Sequence, residues 1–207
     1  FTPVNNGIPA NTFVYVLDMS YSGNYIAAGT SKGLYISSNN GTNWEPVSGI
    51  PSSDTVYSVK FAHYNTDGYE EVYYAGASGY ALYKGNPVVA KITLIATFNA
   101  RVNNIETVEE TDQVSVVLTP QATDNLITQG YAYSTDRGVT WIQYNNGLPQ
   151  TAFSGLAYTI SGNNALYYCG TFENTANGAK VYKLTSPIGI QQISSDVPNT
   201  FSLSQNY

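Results

Sequence analysis

Apolar and polar residues alternate along most of this chain in short runs, the period of two that turns one side of a β-strand toward a core. Three such runs end in a small residue and glycine: YIAAGT at Tyr25 to Thr30, VYYAGA at Val72 to Ala77 and LYYCGT at Leu166 to Thr171. A second strand of the same kind follows each of them, GLYIS from Gly33, YALYK from Tyr80 and AKVYKL from Ala179, and GYAYS from Gly130 belongs to the same class. Turn sequences separate the runs, with NGIP at Asn6, SGIP at Ser48 and NGLP at Asn146. No stretch sustains the period of an amphipathic helix.

The pattern repeats. SSNNGTNW at Ser37 to Trp44 returns as STDRGVTW at Ser134 to Trp141, and these two tryptophans are the only ones in the chain. The turns mark units that start near Asn6, Ser48, Thr97 and Asn146, the third lacking the turn but keeping the strands VNNIETV and QVSVVLT. Units one and three carry the octapeptide, so the duplicated block is a pair of units. Four-stranded units repeating at about 40 to 50 residues predict the blades of a β-propeller or propeller-like ring of four blades, over residues 1–187. A β-sandwich can also be written in short strands at this spacing.

The pattern of Ser134, Asp136, Gly138, Thr140 and Trp141 resembles the Asp box, or bacterial neuraminidase repeat, of sialidases, sortilin-type receptors and xyloglucan hydrolases. The first copy keeps Ser37, Gly41 and Trp44 but carries Asn39 for the aspartate and Asn43 for the threonine. The physics is local: Asp or Asn accepts hydrogen bonds from amides of its own turn, glycine takes a positive φ, and the indole covers the hairpin. The resemblance implies a fold element on the turn between third and fourth strands, not an active site.

Residues 188–207 form an extended tail whose final stretch, SSDVPNTFSLSQNY, resembles the start of the C-terminal sorting domain of the type IX secretion system. Pro198, Phe201, Leu203, Gln205, Asn206 and Tyr207 match in order. The resemblance implies export to the cell surface or beyond, with the sorting domain cut at Tyr207 by processing or by truncation. Ile188, Ile190, Ile193, Phe201 and Leu203 give the tail an apolar alternation that can add a strand to another copy, so they are its candidate assembly contacts.

Composition narrows the chemistry. Charged residues are 11% of the 207, the formal charge is −6 and only Arg101 and Arg137 are arginines, which leaves no basic surface for a phosphate backbone. Two arginines also fall short of the triad that the sialidase resemblance would require. A single cysteine, Cys169, forms no intrachain disulfide, and a single histidine, His63, builds no multi-histidine metal site. His63 aligns with Tyr21 and Ile160 at a strand end, and Cys169 aligns with Ala28 and Ala75 as a small packed residue. No apolar run is long enough to cross a membrane as a helix.

Paired carboxylates are the remaining route to hydrolysis, with Asp18, Asp54, Asp67, Glu70, Glu71, Glu106, Glu109, Glu110 and Asp112 as candidates. Asn65, Asp67 and Glu70 surround a glycine turn and faintly match a calcium loop, although the twelve-residue pattern is incomplete. Most of the 19 tyrosines fall inside strands, where cross-strand aromatic pairs account for them. Tyr21, Tyr64, Tyr69 and Tyr144 sit near turns and are the candidates for stacking on a sugar. The expectation is a non-enzymatic, cofactor-free extracellular protein that self-associates through its tail into an oligomer or filament. A glycan- or protein-binding propeller module and a small glycoside hydrolase are the alternatives.

Overall fold

The computed structural model describes residues 1–64, 70–76, 79–86, 92–108, 111–119, 130–144, 148, 153–161, 164–171, 180–184 and 188–189. They form four antiparallel sheets in chain order, each a β-propeller blade. The first contains β1 (Val14–Met19), β2 (Ile26–Thr30), β3 (Gly33–Ser37) and β4 (Glu45–Pro46). The second contains β5 (Ser58–His63), β6 (Glu70–Gly76), β7 (Ala81–Gly85) and β8 (Ile92–Thr97). The third contains β9 (Arg101–Thr107), β10 (Val114–Thr119), β11 (Gly130–Ser134) and β12 (Ile142–Gln143). In the fourth, β13 (Phe153–Ser161) pairs with β14 (Asn164–Thr171), which pairs in turn with both β15 (Val181–Lys183) and β16 (Ile188–Gly189).

The small residue, glycine and threonine that close β2 and β14 have a local cause. The Thr30 hydroxyl donates to Gly33 O at 2.8 Å and accepts the Lys32 N–H, so the threonine closes the hairpin into β3. Thr171 makes the same pair of bonds with Lys180 across its own, longer connection.

The core lies between successive sheets. Val16, Ala27 and Leu34 of the first sheet meet Val59, Phe61, Val72 and Tyr74 of the second. Ala62, Tyr73 and Leu82 on the second sheet's other face meet Ile105, Val116 and Leu118 of the third. Val117 and Tyr131 then meet Leu156, Tyr167 and Cys169 of the fourth. The first strands of the sheets are also stitched side by side: Phe61 N–H donates to Asp18 Oδ2 at 2.7 Å, the Thr107 hydroxyl to Phe61 O, and the Asn103 amide to Phe153 O.

One sequence alignment shifts. Ala75 does not share a face with Ala28 and Cys169: it packs toward the third sheet, whereas Cys169 faces the sheet before its own. Register matches Tyr74, opposite Val59, to Ala28, opposite Leu17, and to Cys169, opposite Leu156. The glycine that guided the alignment lies one residue later in β6, where the connection to β7 is longer. Ile188, expected to open the tail, pairs with Ala165 inside the fourth sheet. Ile190, Ile193, Phe201 and Leu203 lie outside the described residues.

Candidate functional site

The two octapeptides fold into one turn. Ser37 Oγ accepts the Gly41 N–H at 2.9 Å and Ser134 Oγ accepts that of Gly138 at 2.7 Å. Asn39 Oδ1 accepts the Asn43 N–H at 2.8 Å, and Asp136 Oδ1 accepts the Thr140 N–H at the same distance. Both turns pass through two left-handed residues, Asn40 (φ 56°) and Gly41 (φ 79°), then Arg137 (φ 54°) and Gly138 (φ 87°). A side chain on Gly138 would also meet Ile95 Cδ1 at 2.6 Å, but that methyl can swing aside, so the positive φ is what calls for glycine there.

They differ in charge. Burial opposes the ionised form of Asp136, but the Ser134 and Thr140 hydroxyls and the Thr140 and Val139 amides outweigh it and hold the carboxyl at about 2. Asn39 cannot titrate, and Asn43 instead accepts a hydrogen bond from the Asn6 amide. Trp44 is 7% exposed; its indole N–H donates to Val4 O at 2.7 Å and its backbone N–H to Asn6 O at 2.8 Å. Trp141 is half-buried, with Phe98 edge-on at 5.4 Å.

Of the four tyrosines marked for sugar stacking, Tyr64 is corrected: it is 1% exposed. Its hydroxyl is 2.7 Å from that of Tyr73, which donates to Glu71 Oε2 at 2.7 Å, and the Arg137 guanidinium lies over its ring. Desolvation, before any neighbouring charge, raises the pKa of both phenols. Tyr144 packs against the core between the third and fourth sheets, and Tyr69 lies outside the described residues. Tyr21 is 69% exposed and stacks on His63 at 4.5 Å, the strand-end setting expected for that histidine.

Five of the candidate carboxylates are tied into the fold one by one. Asp18 accepts the Phe61 N–H, and Glu70 accepts both the N–H and hydroxyl of Ser22 at 2.7 and 3.1 Å. Glu71 pairs with Lys84, Glu106 with Lys60 at 3.2 Å, and Asp112 with Arg137 at 2.8 Å. Burial raises the Glu106 pKa, Lys60 lowers it, and Asp18 raises it further. Lys60 was not singled out from sequence, although a lysine inside the apolar run SVKFAH is the signal that would have found it. Asp67, Glu109, Glu110 and the Asn65 of the calcium candidate lie outside the described residues, and Glu70 of that set is the ligand of Ser22. Among the described residues, no three His, Cys, Asp or Glu side chains converge on one point.

Between the first two sheets lies an open groove of about 450 Å³. Tyr25, Ile36, Tyr74 and Ile92 line its apolar part, with Glu45 and Ser48 at polar positions. The described residues contain no helix long and apolar enough to cross a membrane.

No family model and no curated protein matches the chain. Solved structures do. The chain is similar to an ancestral GH74 enzyme at 15% identity and a TM-score of 0.57, over 86% of this chain and 25% of that one. It is similar to a chain of the mitotic checkpoint complex at 15% identity and 0.56, over 91% and 57%. A third match is the β-propeller domain of Cps50 from Myceliophteria thermophila, at 14% and 0.51, over 79% of this chain and 51% of that one. The chain thus spans between a quarter and somewhat over half of each of these, and what it shares with them is the β-propeller fold.

Proposed function

We propose that this chain is a non-catalytic Asp-box propeller module, exported through its sorting-domain tail, that works outside the cell by self-association. The observation that carries the reading is the fate of the carboxylates. Asp18, Glu70, Glu71, Glu106 and Asp112 each hold a hydrogen bond or ion pair that ties one part of the fold to another. A retaining hydrolase needs two carboxyl groups about 5 Å apart that face a substrate, and groups engaged in this way serve the architecture instead. The bond networks of the two octapeptides support the Asp-box assignment, since the serine and the Asn or Asp of each copy accept amides of their own turn.

Light scattering on the full chain, together with a hydrolysis screen on polysaccharides, tests this reading. The expected result is a particle larger than one chain and no sugar release. Glycan cleavage that is lost in Asp18→Asn or Glu106→Gln would replace it with the hydrolase. The groove of about 450 Å³ favours one second reading, a carbohydrate- or protein-binding module, because Tyr25 and Glu45 there pair a stacking ring with a hydrogen-bond acceptor. A glycan array on the wild type and on Tyr25→Ala tests that reading.

A further inference from the structure

Each blade after the first buries the same two register positions of its first strand against the blade before it. In the second blade they are Val59 and Phe61, opposite Tyr74 and Val72, at 4% and 6% exposure. In the third they are Ile105 and Thr107, opposite Val116 and Val114, at 1% and 4%. In the fourth, Leu156 is 5% exposed opposite Cys169, and Tyr158 is half-buried opposite Tyr167. The first blade carries Leu17 and Met19 there, opposite Ala28 and Ile26, and both are 60% exposed.

The residues are apolar, as at every covered position but Thr107, and what they lack, among the described residues, is the cover. Beneath them the face is already a small core of Ala28, Tyr35 and Trp44. An apolar patch of this kind on a folded surface marks an interaction site, and the molecule shows three times what packs on such a face: the opposite face of a preceding blade. Among the described residues, one blade still has that opposite face open. On the fourth blade Ala157 and Thr159 are exposed and Leu166 and Tyr168 half-buried, with Val181 at 76% exposure.

We infer that the first blade's Leu17–Met19 face takes the Thr159–Tyr168 face of the fourth blade of a second copy of this chain. The contact is head-to-tail, so a second, identical contact closes two four-bladed halves into one ring. The match to Cps50, which covers 51% of a β-propeller domain, agrees with a half-ring. Eight blades lie within the range of about 4 to 8 that propellers adopt, and a heterologous contact that closes gives a finite ring rather than a fibre. The inference rests on the self-association reading above but moves the contact from the tail to the blade faces.

The test uses the full chain and measures mass over a wide concentration range. The wild type is expected at twice the chain mass, the double variant Leu17→Asp with Met19→Asp at half that value with an unchanged far-UV spectrum, and the deletion of 194–207 still at twice its own, shorter chain mass. Assembly that survives the double variant but is lost on deleting the tail overturns the blade-face contact and leaves the self-association reading standing. A wild type that is monomeric at every concentration overturns both. Single Met19→Cys and Thr159→Cys proteins, treated with a short bifunctional thiol reagent, give the orientation without a charge in the interface. Cross-linking only in their mixture supports the head-to-tail contact, and cross-linking of Met19→Cys to itself overturns it.

Discussion

The Arg137 guanidinium lies 4.0 Å from the centre of the Tyr64 ring and ties the octapeptide turn of the third blade to the end of the second blade's first strand. Around this contact Lys84 donates to Arg137 O at 3.1 Å, and Asp112 accepts from Arg137 Nε at 2.8 Å. Arg137 occupies the left-handed position that Asn40 holds in the first copy. One residue therefore accepts an unfavourable φ and, through its side chain, locks two blades together.

Arg137→Asn separates these roles, because asparagine is at ease near φ 54° but cannot reach the ring. Urea unfolding is expected to show a loss of about 1 to 2 kcal/mol, the scale of a desolvated cation–π contact. An unchanged midpoint would assign the blade contact to apolar packing alone.

Much of the architecture is legible before any coordinates. The alternation around YIAAGT and LYYCGT, with the duplicated octapeptide, gives sheets at the expected places because strand period and turn chemistry are local properties. Tyr64 fails for the opposite reason. It sits beside a turn, where exposure is the ordinary outcome, and is buried by Tyr73 of the paired strand and by Arg137, which is distant in sequence and which no local pattern connects to it. Ala75 fails by one residue, since a longer β6–β7 connection moves the glycine relative to the pleat and flips the face of each aligned side chain. Leu17 and Met19 look like any alternating apolar pair in the sequence, and their exposure is a property of what is packed beside them.

Asp136 gives a pH signature. Its folded value near 2 lies below the ordinary 3.8, so its contribution is fully present above about pH 4 and is lost as the pH falls through 2. Melting temperatures of the wild type and Asp136→Asn should therefore differ at pH 6 and converge near pH 2. The corresponding stability difference should stay below about 1 kcal/mol, because the turn is open to solvent. A gap that persists at pH 2 would show that shape, not charge, separates the two residues.

Cys169 is 7% exposed, and burial pushes its thiol up to about 11 despite a hydrogen bond with its own backbone. The thiolate is the reactive form, so at pH 8 alkylation should run on the order of a hundredfold slower than for an unperturbed thiol. Urea should abolish the protection along the unfolding curve. Fast labelling of the native protein would mean that the interface between the third and fourth blades opens far more often than a packed core does.

The two tryptophans share a motif position but not a setting, which makes them a matched pair for weighing cover against packing. Trp44 is buried, its indole N–H bonds to Val4 O, and its backbone N–H bonds to Asn6 O, so the N-terminal segment closes over it. Trp141 is half-buried against Phe98 and donates to Gly138 O within its own turn. Trp44→Ala should cost about 3 to 5 kcal/mol, the range for deleting a buried aromatic ring, and should release residues 1 to 8 to proteolysis. Trp141→Ala should cost less and leave that segment protected, because no part of the N-terminal segment rests on it. Gly7 provides an independent check on the same closure: its φ is +99°, and a Cβ there would collide with the Trp44 carbonyl. Gly7→Ala should therefore reproduce the proteolytic release of the Trp44 variant while keeping the indole itself. Equal stability losses for the two tryptophan variants, with the N-terminal segment protected in both, would mean that the octapeptide ring alone, and not what covers it, sets the stability of each blade.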